Sequence, residues 1–407
     1  MHEFGVPLLN RTLRFGLAVM VAFAVVLPST ATTISCGEQI TLHSKVLGED
    51  RTIFVSLPDS YGNGSDKYPV LYLTDAQWQF AQTRTTVQFL ARNGLLPEMI
   101  VVAVTNPDRT HDLYATRADF KQGGRTLPFP NSGNADQFLE FIQKELIPWT
   151  ENAYRTSELR ILAGHSAGGN FALHAMRTKP DLFQAIMVAS PWLAWDDDRE
   201  LRELLPFIAA GRVGVRNLFL SYADEGVEMK ANVDALIGAL KARNLPSLRW
   251  DWRTYPGETH DSTVIKSYFD GLRTIFAGYS YPRDPKTGRL MGSLGDVKTY
   301  YSNLGEKLGV PLGLPESVVN ELGYEYLQAG GLEEAIAAFR FSVDQHPQSA
   351  NAWDSLGEGL ERGGNTADAL AAYSKAIALA ETNHDPNVDS FRKHLSRLRT
   401  KPEVNPQ

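Results

Sequence analysis

Residues 160–169 read RILAGHSAGG, and this stretch decides the fold. Residues 160–163 predict a short strand, and residues 170–178, which end before Pro180, predict a helix. Between them lies the pattern G-x-S-x-G, in which a sharp strand-to-helix turn presents a serine hydroxyl. Ser166 is therefore the candidate nucleophile. The alternative is a glycine-rich turn without chemistry, because the chain contains 33 glycines.

The pattern on either side of this turn extends the same architecture. From residue 37 to 278, short apolar β-rich runs alternate with amphipathic helical stretches. The predicted strands are Ile53–Leu57, Val70–Leu73, Ile100–Val104, Leu159–Ala163, Ala185–Val188, Leu218–Ser221 and Leu248–Tyr255. Nearly all-apolar inner strands are typical of a parallel sheet covered by helices on both faces. The sequence therefore predicts a doubly wound, mostly parallel α/β domain.

A serine hydroxyl needs a base, and in this fold the acid and then the histidine follow the serine along the chain. His260 follows the last predicted strand at the mouth of a loop, which makes it the candidate base. The loop after the strand at 218–221 offers Asp224, Glu225 and Glu228 as the acid. We favour Glu225 and place Asp224 second, but the sequence leaves the choice open.

Acyl transfer also needs donors for an oxyanion. One donor is expected to be the backbone amide of Ala167, directly after the serine. The second is expected from the loop after the third strand, where the amides of Ala76 and Gln77 are the candidates.

The domain at 37–278 resembles the putative-esterase family of α/β-hydrolases, which includes siderophore and feruloyl esterases. The residues that carry the resemblance are Val70–Asp75, Gly164–Gly169, Ser190-Pro191 and Tyr255–His260. The run Pro256-Gly257-Glu258-Thr259-His260 resembles the siderophore-esterase branch, where such a run ends in the base. The resemblance implies an α/β-hydrolase that cleaves carboxylic esters through an acyl-enzyme. Ala76 stands where the family usually has glycine.

Two further residues are candidates for contact with the substrate. The resemblance implies that Arg109 lies in the substrate region, and a surface salt bridge is the alternative. Trp192, like Trp195, follows Ser190-Pro191 and could line an acyl pocket or belong to the core.

Beyond a predicted connector at 279–315, the chain repeats itself at an offset of 34 positions. Leu322-Gly323 recurs as Leu356-Gly357, and Phe339 recurs as Tyr373. Residues 316–398 therefore resemble tetratricopeptide repeats followed by a closing helix. The repeats could bind a protein partner or pack on the preceding domain.

The amino terminus predicts export. Arg11 and Arg14 precede an apolar run from Phe15 to Leu27, which is shorter than the ~20 residues that span a bilayer. Residues 1–31 are therefore expected to be a signal peptide, and the mature protein to be periplasmic or secreted. Cys36 offers a less favoured alternative, a lipoprotein anchor, which would be the chain's only route to a membrane.

Composition excludes several classes of function. The net charge of -7 provides no basic field for nucleic acid, and the single cysteine excludes an intramolecular disulfide and a cysteine zinc site. We find no dinucleotide-binding or P-loop pattern, so no cofactor is expected. Three functions remain: an esterase acting on a small-molecule ester, an acyltransferase with the same triad, and an inert scaffold that acts through its repeats.

Overall fold

The centre of the fold is a single mixed sheet. The computed structural model describes residues 35–122 and 125–400. Its strands are β1 Glu38–Ser44, β2 Glu49–Ser56, β3 Tyr68–Leu73, β4 Ile100–Val104, β5 Phe120–Gln122, β6 Arg125–Leu127, β7 Thr156–His165, β8 Ala185–Ala189, β9 Asn217–Ala223 and β10 Arg249–Tyr255. Eight of them form the main sheet in the order β1-β2-β4-β3-β7-β8-β9-β10, while β5 and β6 pair separately.

The strand directions match the predicted fold class. The strands from β4 to β10 in this order are parallel, and the antiparallel pairs of the main sheet are β1–β2 and β2–β4. Every residue of β3, β4, β8 and β9 is buried, as expected for strands that helices cover on both faces. The doubly wound, mostly parallel α/β fold is thus confirmed.

The sequence-based strand prediction missed β1, β5 and β6. Strand β1 reads EQITLHS, and most of its side chains are exposed or half-buried because it lies at the sheet edge. Such a polar edge strand lacks the continuous apolar run by which the inner strands were recognised.

Helices cover both faces of the sheet and then continue as a separate helical layer. They are α1 Ala76–Arg92, α2 Arg109–Leu113, α3 Ala135–Phe141, α4 Ile147–Ala153, α5 Ala167–Thr178, α6 Arg199–Ala209, α7 Val227–Ala242, α8 Thr263–Ile275, α9 Leu294–Leu308, α10 Glu316–Ala329, α11 Leu332–Gln345, α12 Ala350–Arg362, α13 Thr366–Thr382 and α14 Val388–Thr400. Within the described residues, none of the helices has the length and apolar character that a membrane crossing requires.

Helices α10 to α13 form two helix–turn–helix units whose packing explains the repeated residues. A Cβ on Gly323 would lie 2.4 Å from the Phe339 ring, and one on Gly357 would lie 2.6 Å from the Tyr373 ring. Both rings are fully buried. Each repeat therefore needs a glycine where its second helix inserts an aromatic ring, and α14 closes the stack.

The first repeat packs directly on the α/β part of the chain. One apolar cluster runs from Leu71 in the sheet through Tyr268 of α8 and Tyr301 of α9 to Leu322 of α10. At the amino end of β3, His346 contacts Asp66 with its Nδ1 atom 3.0 Å from the carboxylate. A shared core and a polar contact therefore join the two parts.

Most of the residues on which the prediction of export rests lie outside the part of the chain that the structure describes. The predicted signal peptide, residues 1–31, falls outside the described residues. Cys36 is described, and it is exposed.

Candidate active site

The carboxyl edge of the parallel sheet gathers the candidate residues. Ser166 follows β7, Glu225 follows β9, and His260 follows β10. Ala76 begins the helix that follows β3. Because the carboxyl ends of parallel strands meet at one edge, residues far apart in sequence lie together there.

Ser166 occupies a sharply strained turn between β7 and α5. Its backbone has φ 59° and ψ −117°, a conformation that residues with a side chain rarely adopt. The turn is tight enough that a Cβ on Gly164 would lie 2.0 Å from the carbonyl oxygen of Gly168. The Ser166 amide donates to Ala189 on the neighbouring strand at 3.0 Å, and its side chain makes no capping bond to α5. The turn is thereby fixed while the hydroxyl is left uncommitted to the helix.

His260 and Glu225 face each other across two loops. Their Nδ1 and Oε1 atoms are 3.1 Å apart, although the pair is not aligned as a hydrogen bond. The Glu225 side chain is only 5% exposed. Burial raises the pKa of this carboxyl, but contacts with His260 and Ser190 outweigh burial and leave the pKa below its usual range. Glu225 is therefore charged at neutral pH, as an ion-pair partner of an imidazolium must be.

The other two carboxylates of this loop have different surroundings. Asp224 accepts a hydrogen bond from the Gly257 amide at 2.7 Å and is exposed. Glu228 is exposed in the first turn of α7. Of the three acids that the sequence left open, Glu225 is the one placed against His260.

The amides of Ala76 and Ala167 begin two helices whose amino-terminal ends lie close together. Amides in the first turn of a helix have no carbonyl partner within that helix, so they can serve as donors to an anion. A Cβ on Gly168 would lie 2.3 Å from the Thr74 hydroxyl and 3.2 Å from the Asp75 carboxylate. The amino-terminal turns of α1 and α5 are thus in close contact, which the predicted oxyanion hole requires.

Gln77, the alternative donor in this loop, is held by its side chain. Its amide group exchanges two hydrogen bonds of 3.3 Å with the backbone of Asn106. This contact fixes the first turn of α1.

Arg109 lies beside the same turns. Its guanidinium donates to both carboxylate oxygens of Asp75, at 2.7 and 3.1 Å, and to the His165 carbonyl at 3.3 Å. The Trp78 ring lies 5.5 Å from the guanidinium carbon and is 58% exposed. Sequence reasoning missed Asp75, His165 and Trp78, although all three lie within three residues of a predicted site residue.

His165 supports the loop that carries His260. Its Nε2 donates to the His260 carbonyl at 2.8 Å, and the two rings lie 4.6 Å apart. Burial, reinforced by the neighbouring His260, lowers the pKa of His165 to about 4. His165 is therefore neutral at pH 7, and its single ring hydrogen faces the carbonyl, which can only accept.

Trp192 borders the site, whereas Trp195 belongs to the core. The Trp192 ring lies edge-on to His260 at a centroid distance of 6.4 Å and is partly buried. Trp195 is 5% exposed and stacks on Tyr114 at 4.2 Å. Trp195 is thus a core residue, whereas Trp192 packs on the edge of the core beside His260.

Among the residues that the structure describes, one group of side chains could hold a metal ion by distance alone. His165, His260 and Asp261 each offer a ligand atom within 4.8 Å of the others. The Nε2 of His165 already binds the His260 carbonyl, and the Nδ1 of His260 faces Glu225. The Nε2 of His165 is therefore engaged by a carbonyl, and the Nδ1 of His260 lies against a carboxylate rather than facing a shared metal position.

Two sequence families match the chain. The family described as "Putative esterase" matches residues 44–239, and the tetratricopeptide repeat matches residues 320–384. The first covers the candidate nucleophile turn and the Glu225 loop, and the second covers α10 to α13.

Individual proteins show the same relationship. The ferri-bacillibactin esterase BesA of Bacillus subtilis is 27% identical over 259 residues, which cover 58% of this chain and 88% of that protein. The IroE-like serine hydrolase of Shewanella oneidensis has a TM-score of 0.66 at 27% identity, over 74% of this chain and 96% of its own. An uncharacterised protein from Capnocytophaga ochracea matches 89% of this chain and 99% of its own, with a TM-score of 0.57. At 21% identity, this last likeness concerns the fold alone.

Proposed function

We propose that the chain is a serine esterase with Ser166 as its nucleophile, because the family described as "Putative esterase" matches residues 44–239. The observation that carries this proposal is the strained Ser166 turn, which shares one sheet edge with the His260–Glu225 pair. A serine in such a turn is presented to a bound ester, and a histidine–carboxylate pair supplies the base that it needs.

The proposed reaction has two halves that use the same groups. In the first, the Ser166 oxygen attacks the ester carbonyl while His260 takes the hydroxyl proton, and the Ala167 and Ala76 amides stabilise the oxyanion. Collapse breaks the ester bond, the alcohol leaves with the proton from His260, and the acyl group stays on Ser166. Water then attacks the acyl-enzyme with His260 again as base, which releases the acid and restores the serine.

The charge and surroundings of Glu225 suit the role of the acid that orients the histidine. Its carboxylate, charged and nearly buried, faces the Nδ1 edge of His260. It would hold the ring with Nε2 turned toward the serine and stabilise the imidazolium that forms in each half-reaction.

The class of natural substrate is proposed from what a related protein hydrolyses. The B. subtilis relative is a ferri-bacillibactin esterase. Ester-linked siderophores are therefore the first natural substrates to assay, followed by short-chain and aromatic esters.

The test is covalent labelling with a fluorophosphonate, which reacts with a serine only where a base and an oxyanion hole activate it. We expect labelling of the wild-type chain and its loss in Ser166→Ala. Ser280→Ala, at an exposed serine on the connector, is the control and should label like the wild type. Equal labelling of wild type and Ser166→Ala, or labelling of neither, would overturn the proposal.

A further inference from the structure

Arg109 joins the two turns that carry the expected oxyanion donors. Its contacts reach Asp75, the residue before Ala76, and the carbonyl of His165, the residue before Ser166. One guanidinium therefore links the Asp75 side chain, just ahead of α1, to the backbone carbonyl just ahead of Ser166.

We propose that Arg109 is a positioning residue that fixes the distance between the Ala76 and Ala167 amides. The inference rests on the proposed function, because those amides matter to the rate only if an oxyanion forms between them. It assigns to Arg109 a task different from the substrate contact that family resemblance implies.

The Asp75 turn is anchored by contacts from other segments of the chain. Asp75 has φ 57° and ψ 42°, a left-handed conformation that is uncommon for a residue other than glycine. Its amide donates to the Asn106 side chain at 2.9 Å, and Asn106 in turn donates to Asp112 at 2.9 Å. Arg109 holds the carboxylate end of the same residue. Without Arg109, the Asp75 turn keeps its backbone anchor and its packing on Gly168, but it loses the hydrogen-bonded link to the His165 carbonyl.

The charge of Arg109 is as necessary as its shape. The Asp75 carboxylate is 1% exposed and lies against Gly168, in the first turn of α5. Without a neighbouring cation, this carboxylate would oppose the negative charge that develops on the ester oxygen. A lysine could supply the charge, but it cannot make the same forked contact with a carboxylate.

The environment of Arg109 fits an internal role better than substrate contact. Three of its N–H bonds are used by Asp75 and His165, and its side chain is 28% exposed. The Trp78 ring lies beside the guanidinium on the outer side of α1. The two roles predict different kinetics, because a substrate contact affects large esters and a positioned oxyanion hole affects every ester.

The test compares Arg109→Gln with the wild type on p-nitrophenyl acetate, whose acyl group is too small to reach a distant subsite. We expect kcat to fall by about 10- to 100-fold with KM within about twofold, as for a displaced oxyanion donor. Affinity for an aryl trifluoromethyl ketone, which forms a hemiketal oxyanion on the serine, should fall by a similar factor. Arg109→Lys should lie between the two proteins.

The control is Arg177→Gln, since Arg177 makes a comparable forked contact with the nearly buried Glu200 outside the site. It should lower the melting temperature and leave kcat unchanged. The proposal is overturned if Arg109→Gln keeps the wild-type kcat on the acetate, or if its defect is confined to KM for larger esters. If Arg109→Gln does not fold, a wild-type kcat in Arg109→Lys would overturn it equally. A wild-type protein that is not labelled at Ser166 would instead refute the proposed function, and this inference with it.

Discussion

Replacing Glu225 by Gln should abolish most of the activity, whereas Asp224→Asn should not. The Glu225 carboxylate lies 3.1 Å from the His260 Nδ1 and is almost fully buried, so solvent screens the pair weakly. At this separation, and with an effective dielectric constant of 20, the attraction between an imidazolium and a carboxylate is about 5 kcal/mol. Since about 1.4 kcal/mol corresponds to a factor of ten in rate, the loss can reach about 10⁴-fold. We expect a fall in kcat of about 10² to 10⁴.

The measurement is kcat on p-nitrophenyl butyrate, with fluorophosphonate labelling to count the competent sites. The matched control is Asp224→Asn, which makes the same chemical change, a carboxylate to an amide, on the same loop. Its Oδ atom can still accept from the Gly257 amide, so we expect kcat within about threefold of the wild type. A larger loss in Asp224→Asn than in Glu225→Gln would refute the assignment of the acid. Equal wild-type activity in both variants would show that His260 needs no carboxylate partner.

Three further predictions follow from the packing and the charges. Gly168→Ala should lower kcat more than tenfold, because its Cβ would lie 2.3 Å from the Thr74 hydroxyl and would push apart the amino-terminal ends of α1 and α5. A kcat within twofold of the wild type would contradict this contact. Burial disfavours the charged form of His174, but Asp136 and Glu200 outweigh burial and raise the pKa of His174 to about 9. The charged histidine therefore adds about 3 kcal/mol to the free energy of unfolding. This stabilisation is complete below pH 6.5 and is lost as the pH rises through 9. Urea unfolding from pH 6 to 10 should show this decline in the wild type, and a parallel decline in His174→Gln would exclude His174 as its cause. Phe339→Ala should lower the free energy of unfolding by about 3 to 5 kcal/mol, because the ring is fully buried; a loss below 1 kcal/mol in chemical denaturation would show that the repeat repacks.

Those parts of the site that depend on local geometry could be predicted from the sequence. The glycines around Ser166 are required within the turn itself, where a Cβ on Gly164 would strike the Gly168 carbonyl. Chain order then made His260 the candidate base, because the acid and then the histidine follow the serine in this fold. The repeats could also be predicted, because Gly323 and Phe339 recur 34 positions later as Gly357 and Tyr373.

Contacts between distant segments could not be predicted. Arg109 and Asp75 are 34 positions apart and His165 and His260 are 95 apart, and neither pair leaves a periodic signal. The choice among the acids likewise depended on which side chain the loop turns inward, and a run of neighbouring carboxylates does not specify this direction. Strand β1 was missed because an edge strand is defined by its partner β2 rather than by its own apolar residues.

The amino ends and the carboxyl ends of the parallel strands lie beside different parts of the molecule. The repeats attach beside the amino ends of the strands, where His346 meets Asp66, and Ser166 stands at the carboxyl end of β7. Strand β7 has ten residues, which corresponds to about 33 Å along the strand. The repeats are therefore anchored at the opposite end of the strands from the candidate active site. For the proposed esterase, a protein bound near this attachment would hold the molecule at the end away from Ser166, so that the bound protein and an ester would not compete for space.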